Sequence, residues 1–415
     1  MIVSTRSRNK LKLVAASALQ SSGDQTVGAS TVLPWLFHAL GVPAALIGLL
    51  VPIRESGSML PQAFLAPLVV RVRQRKWVFV AGALVQAAAV ATMALTAALG
   101  RGLAAGVVLI AALAVFAFGR CLCSISSKDV QGRTVPKGER GRINGMATTA
   151  AGLVAITLGL AIRWLGGEGL GGPQLAWLLA LGAVLWVLSA ATYAVIDEPL
   201  DEEPGDGPAS GADWLRRTVA LLRDDRDFRH FVSVRSFLLV SALSPPFVVT
   251  LSVQSGSSGL AGLGGFVIAS GVAALVGGRL FGGWADRSSR RLMSVGAGGA
   301  SAVVVAVVVL TALPGFRGDG PLGTALFIGS YFLLTLLHTG VRVGRKTYVV
   351  DMAEGDLRTT YVAVSNSAMG IVLLVVGAVS SALAAVAIPW ALLFLAALGV
   401  VGVFAGARLP EVSRR

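Results

Sequence analysis

Charge is what this chain has least of. Only 13% of its 415 residues are Asp, Glu, Lys or Arg, well below the roughly 25% of a soluble domain. Cysteine is scarcer still: Cys121 and Cys123 are the only two, both in one apolar segment. They offer no disulfide framework, and two residues apart on a helix their side chains diverge too far to share a metal. No nucleotide-binding loop, catalytic triad or zinc signature appears, so neither ATP-driven transport nor hydrolysis within this chain has support. No enzyme activity, metal or cofactor is expected, with a proton or ion gradient as the energy source.

What is present is apolar. Hydrophobic residues make up 55% of the chain, the mean hydropathy is +0.76, and the 51 glycines suit close packing of helices in lipid. A net charge of +14 can signal nucleic acid. Here the basic residues cluster at the ends of apolar runs, so the expected partner is a lipid bilayer. The basic N-terminus before Leu13 faintly resembles a signal peptide, but its apolar core is short and the helical pattern continues past Asp24. It reads as the start of a first span.

About twelve stretches approach the 20 or so residues a bilayer requires: 11–39, 43–70, 77–99, 103–129, 143–165, 174–196, 230–253, 261–284, 292–313, 322–347, 359–386 and 388–408. Basic residues follow every second span: Arg71, Arg73, Arg75 and Lys76; Arg133, Lys137, Arg140 and Arg142; Arg216 through Arg229; Arg287, Arg290 and Arg291. The opposite connections hold only Arg101, Arg163 and Arg317. The positive-inside rule then puts both termini in the cytoplasm of a multi-pass plasma (inner) membrane protein.

The segment Lys128–Gly152 can be laid on Lys346–Gly370 without a gap, and Arg75-Lys76 matches Arg290-Arg291 at almost the same offset. The expected architecture is an all-α membrane protein of two pseudo-symmetric six-helix bundles, 1–196 and 230–415. Residues 197–229 join them as a cytoplasmic linker with an interfacial helix around Trp214, Leu215, Val219 and Leu222. Duplicated six-span halves build alternating-access transporters.

At this point the chain resembles the major facilitator superfamily over essentially its whole length. The sharpest match is Gly283-Trp284-Ala285-Asp286-Arg287-Ser288-Ser289-Arg290-Arg291, similar to the family's loop of Gly, then Asp-Arg, then a basic pair. Glu139-Arg140-Gly141-Arg142 stands where the family often has an acidic-Arg-Gly turn. The resemblance implies a cytoplasmic gate of Gly283, Asp286, Arg287, Arg290, Arg291 and Arg140, a carboxylate beside helix N-termini and arginines latching two bundles. A plainer reading leaves these residues only satisfying the positive-inside rule. The chain departs from the family in having Arg71 where the first-half loop would be acidic, and in lacking the Gly-Pro pair usual in span five of drug/proton antiporters. No subfamily follows.

The spans also carry charge, costly in hydrocarbon unless it lines a pathway or meets a partner. Gln20 and Asp24 share one face of span one with Gly28 and Thr31; Arg54, Ser58 and Gln62 share one face of span two, with Glu55 beside them. Asp24 and Glu55 are candidate proton carriers; the alternative is a static pair such as Asp24 with Arg54. Span four carries Arg120, Ser124, Ser127 and Lys128. Span ten presents Tyr331, Thr335, His338, Arg342, Arg345 and Lys346 on one stripe, and the repeat sets these two spans facing each other. Arg235 lies early in span seven, where Pro245-Pro246 should kink or break the helix. Substrate-binding and coupling residues are expected at Asp24, Arg54, Glu55, Arg120, His338 and Arg342, with Gln20, Gln62, Lys128, Arg235, Arg345 and Lys346 in the vestibule.

The expected function is secondary active transport of a small polar solute by a monomer, proton-coupled, with basic groups tilting the preference to an anionic or carboxylate-bearing substrate. Efflux of an amphipathic drug or metabolite, movement of a cation or metal ion through Asp24 and Glu55, and a non-transporting receptor or scaffold are the alternatives.

Overall fold

The computed structural model describes residues 2–62, 65, 69, 72–134, 152–161, 171–200, 211–256, 260–352 and 357–412. Among these, every regular element is helical. In chain order they are α1 Ile2–Thr26, α2 Val32–Ala39, a 3-10 segment Ala44–Leu49, α3 Leu50–Met59, α4 Lys76–Leu99, α5 Gly102–Thr134 and α6 Gly152–Ala161. There follow α7 Gly172–Ala194, α8 Gly211–Asp224, α9 Arg226–Phe237, α10 Val240–Gln254, α11 Leu260–Thr311, α12 Pro321–Met352, α13 Leu357–Val386 and α14 Ile388–Gly406.

Eight helical stretches are long and apolar enough to cross a bilayer. They fall on the third, fourth, sixth, seventh, ninth, tenth, eleventh and twelfth expected spans. The fifth and eighth are represented by shorter apolar helices, Gly152–Ala161 and Leu263–Gly277, and much of 143–165 lies outside the described residues.

Two expectations need correcting. Span one is not one helix: the chain breaks after Thr26, where the Gly28 carbonyl accepts from the N–H groups of both Thr31 (3.1 Å) and Leu33 (3.0 Å) before α2 begins. Span seven breaks at Leu238–Leu239 and not at its proline pair, which lies inside α10. Prolines 245 and 246 cannot donate to the carbonyls of Ser241 and Ala242, and the chain relieves that crowding just upstream. Spans eight and nine are two helices that meet at a kink within α11, where Ser288 leaves the helical conformation (φ −165°, ψ 93°).

Packing follows the small residues. In the first half α4 lies against α5 and α7, and α1 against α7. Where α4 meets α5, a Cβ added to Gly82 would lie 2.6 Å from the Gly119 carbonyl oxygen, and one on Gly119 2.6 Å from that of Gly82. Only glycine allows two backbones this close. Buried Trp186 of α7 meets Phe116 of α5 edge to face, ring centroids 5.6 Å apart. In the second half α11 packs on α12 and α14, and α10 on α12.

Contacts between these sets run through α2, the 3-10 segment and α3, which touch α10 or α13. The Ser56 hydroxyl donates to the Gly370 carbonyl at 2.7 Å, and Cβ atoms on Gly48 and Gly377 would strike Ser381 and Pro52. Helix α6 meets α11 in the same manner, Gly159 against Ile268 and Gly271 against Ala155. These seams leave the charged faces of α1, α3, α5 and α12 to account for.

Candidate translocation site

Asp24 stands in the last turn of α1 and is the centre of a three-helix ion cluster. Arg120 of α5 donates through Nη1 to both carboxylate oxygens, at 2.5 and 2.6 Å, and Arg54 of α3 donates through Nη2 to Oδ1 at 3.0 Å. The three side chains are between 15% and 30% exposed, so the pairing is largely shielded from water. Both guanidiniums sit at the carboxyl end of α1, where the helix dipole favours positive charge. The Arg54 guanidinium also lies 6.0 Å from the centroid of the Phe116 ring, within cation–π range. The break after Thr26 matters here, because it ends α1 at the depth where its carboxylate is needed.

Glu55 is next to Arg54 but has a different role in the geometry. Among the described residues it forms no ion pair, yet its charge acts on Arg120 of α5 and on Arg345 of α12. It therefore lies between the two sets of helices.

The second half gathers positive charge. On α12, Arg342 acts on both His338 and Arg345, and Arg345 acts on Arg235 of α9. Ser241 of α10 lies 3.3 Å from His338 Nδ1. Arg235 is 4% exposed, deeper than a vestibule position. Its Nη1 donates to Ser365 Oγ at 2.8 Å and its Nη2 to Asn366 Oδ1 at 3.0 Å, while its Nε has no partner. Among the described residues no carboxylate pairs with Arg235, Arg342 or Arg345. Arg342 is exposed and Arg345 half-buried.

The other sequence candidates are dispersed. Arg120 turns to Asp24 and so joins span one to span four. Gln62 donates to the Ser58 carbonyl of its own turn at 2.7 Å, and Gln20 is half-buried. The side chains of Lys128 and Lys346 lie outside the described ones. Sequence reasoning missed Ser241, Ser365 and Asn366; the signal available was an Ser-Asn-Ser run inside an otherwise apolar span.

At the far ends of the helices two carboxylates occupy equivalent places. Glu198, whose side chain is fully buried, accepts from the backbone N–H groups of Arg75 (3.2 Å) and Lys76 (2.8 Å) at the start of α4, with Arg133 Nη1 at 3.9 Å. Glu411 accepts from Ser288 Oγ at 2.5 Å at the α11 kink and lies 3.7 Å from Arg290 Nε; Arg290 also donates to the Leu409 carbonyl at 2.9 Å. Of the expected gate, Arg290 is thus tied to the C-terminal segment, and Arg287 and Arg291 are exposed. The side chains at Gly283 and Asp286 and all of Arg140 lie outside the described residues.

Comparison with known proteins agrees with this architecture. A family model described as the Major Facilitator Superfamily matches residues 14–318. Among solved structures, a mutant of the nucleoside transporter NupG superposes with a TM-score of 0.74 at 13% identity, covering 97% of this chain and 100% of that one. A D-xylose-proton symporter gives 0.74 at 11% identity, covering 98% of each. A POT family transporter in complex with a thioalcohol-conjugated peptide gives 0.72 at 11% identity, covering 96% and 95%. At such identities the likeness is one of fold. No curated protein sequence matches this one. A family model spanning most of the chain, on a multi-pass helical fold shared with solved transporters, places this protein in the Major Facilitator Superfamily, a transporter and not an enzyme.

Proposed function

We propose that this protein is a secondary active transporter that moves a small polar solute by alternating access, coupled to protons, with a preference for an anionic or carboxylate-bearing substrate. The observation that carries the reading is the charge balance of the interior. Arg54, Arg120, Arg235, Arg342 and Arg345 face only two described carboxylates, Asp24 and Glu55. Guanidiniums in excess inside spanning helices need an anion. Asp24, Arg54, Glu55, Arg120, His338 and Arg342 are the proposed binding and coupling set. The cation alternative has less support, because both oxygens of Asp24 are already occupied by arginine.

The proposed topology has twelve spans in two six-span halves, 1–196 and 230–415, with residues 197–229 between them and both termini cytoplasmic. In that orientation α2 packs on α10 at the external side, which favours an inward-facing arrangement. Reporter fusions after Gly100, Gly172 and Gly320 should read external, and those after Gly205 and at the C-terminus internal; an external signal at Gly205 would overturn the division into halves.

The test of transport is reconstitution. Solutes that raise the melting temperature of the purified protein, as any specific binder does by mass action, are loaded outside proteoliposomes under an imposed pH difference. Accumulation abolished by a protonophore is the expected result. Accumulation indifferent to the pH difference would remove proton coupling.

A further inference from the structure

The charges of the two halves are not disposed alike. In the first half both guanidiniums of the cluster are ion-paired within the protein: Arg54 and Arg120 share Asp24. In the second half Arg235, Arg342 and Arg345 act on one another with no described carboxylate bonded to any of them. Glu55 is the one described carboxylate whose charge reaches this group. Among the described side chains, three guanidiniums stand against one carboxylate.

Like charges held together inside spanning helices are strongly unfavourable unless a counter-ion joins them. The local structure indicates where one would sit. Ser365 and Asn366 of α13 hold both terminal nitrogens of Arg235, which fixes the plane of a guanidinium that is 4% exposed. Its buried Nε has no protein acceptor, so it is oriented with a donor unused. Arg345, half-buried, is close enough to act on it, and exposed Arg342, one turn earlier on α12, gives the group an approach from solvent.

We infer that Arg235 and Arg345, with Arg342 at the approach, form a subsite for a small organic or inorganic dianion, separate from the Asp24 cluster. An excess of two guanidiniums over carboxylate among the described side chains matches a dianion, and the guanidinium fork suits carboxylate or phosphoryl oxygens. Glu55, at the border of the halves, is the described negative charge that reaches Arg345. The subsite rests on the anionic preference proposed above and specifies which residues deliver it: Arg120, bound to Asp24, is not among them.

The experiment uses the full chain in nanodiscs at neutral pH, with acetate, succinate and inorganic phosphate compared with chloride at matched ionic strength. Succinate or phosphate should raise the melting temperature saturably, and acetate should not. Arg345→Gln should weaken that binding at least about thirtyfold, the loss expected when a desolvated charge pair loses one partner. Arg235→Lys, which keeps the charge but cannot hold Ser365 and Asn366 together, should weaken it less. If Arg235→Lys does not fold, Arg345→Gln carries the test, since Arg345 forms no described hydrogen bond. Saturable binding that survives in Arg345→Gln would overturn the subsite and leave the anionic preference standing. A wild-type protein that responds to all three anions as it does to chloride would overturn both.

Discussion

A single nitrogen of Arg120 bridges both carboxylate oxygens of Asp24, at 2.5 and 2.6 Å, across 96 residues of sequence. With Arg54 on the other side, the carboxylate joins α1, α3 and α5. Removing it leaves two shielded guanidiniums without a counter-ion, the arrangement that makes breaking an ion pair far more damaging than never having one.

Asp24→Asn should therefore destabilise the protein by roughly 3 kcal/mol, near the lower end for a broken buried pair. The double variant Asp24→Asn/Arg120→Gln should recover part of the loss, because one of the stranded charges is gone. Thermal unfolding of purified protein reads both. Strictly additive losses would mean that the two side chains do not interact.

Glu55 should behave differently. It forms no described ion pair and lies between the helix sets, so Glu55→Gln is expected to fold with a melting temperature near wild type. It should abolish accumulation under a pH difference while substrate exchange at equal pH continues. Full accumulation by this variant would make Glu55 structural and point to another coupling ion.

The α4–α5 seam has no room for a side chain. Gly82→Val or Gly119→Val, each adding a Cβ that would meet backbone oxygen at 2.6 Å, should force the helices apart and cost about 1–3 kcal/mol. Gly329→Ala, where a Cβ meets nothing within 4 Å, is the matching control. Equal melting temperatures for all three would contradict the close approach.

The carboxylates of the helix ends should rank by burial. Glu198→Gln weakens the charge-assisted cap on α4 and should destabilise by about 1–2 kcal/mol. Glu411→Gln, at a side chain that is 22% exposed, should cost less, about 0.5 kcal/mol, the usual scale of a solvated pair. A larger effect at Glu411 than at Glu198 in thermal unfolding would reverse this account of the two ends.

Much of the protein was readable before its fold. Apolar stretches of spanning length, their alternation with arginine-rich connections and the loop at Gly283–Arg291 indicated a multi-pass helical membrane protein of this family. Helical spacing put Gln20 and Asp24 on one face and Arg54 and Gln62 on another, and the pairing of Asp24 with Arg54 was among the readings left open. Those features are one-dimensional: composition fixes the solvent, and a period near 3.6 fixes which residues share a face.

What the fold alone decided is which face meets which, and at what depth. Periodicity gives a helix its stripe but not the rotation or vertical offset of its neighbour, and these are set by where small residues such as Gly82 and Gly119 let backbones approach. So Arg120 came within bonding distance of Asp24, and Arg235 went to a buried position held by Ser365 and Asn366. Glu198 and Glu411 reached helix ends more than a hundred residues away. Breaks at Thr26 and at Leu238 were likewise tertiary decisions: a helix in lipid gives up backbone hydrogen bonds only where neighbouring groups can replace them.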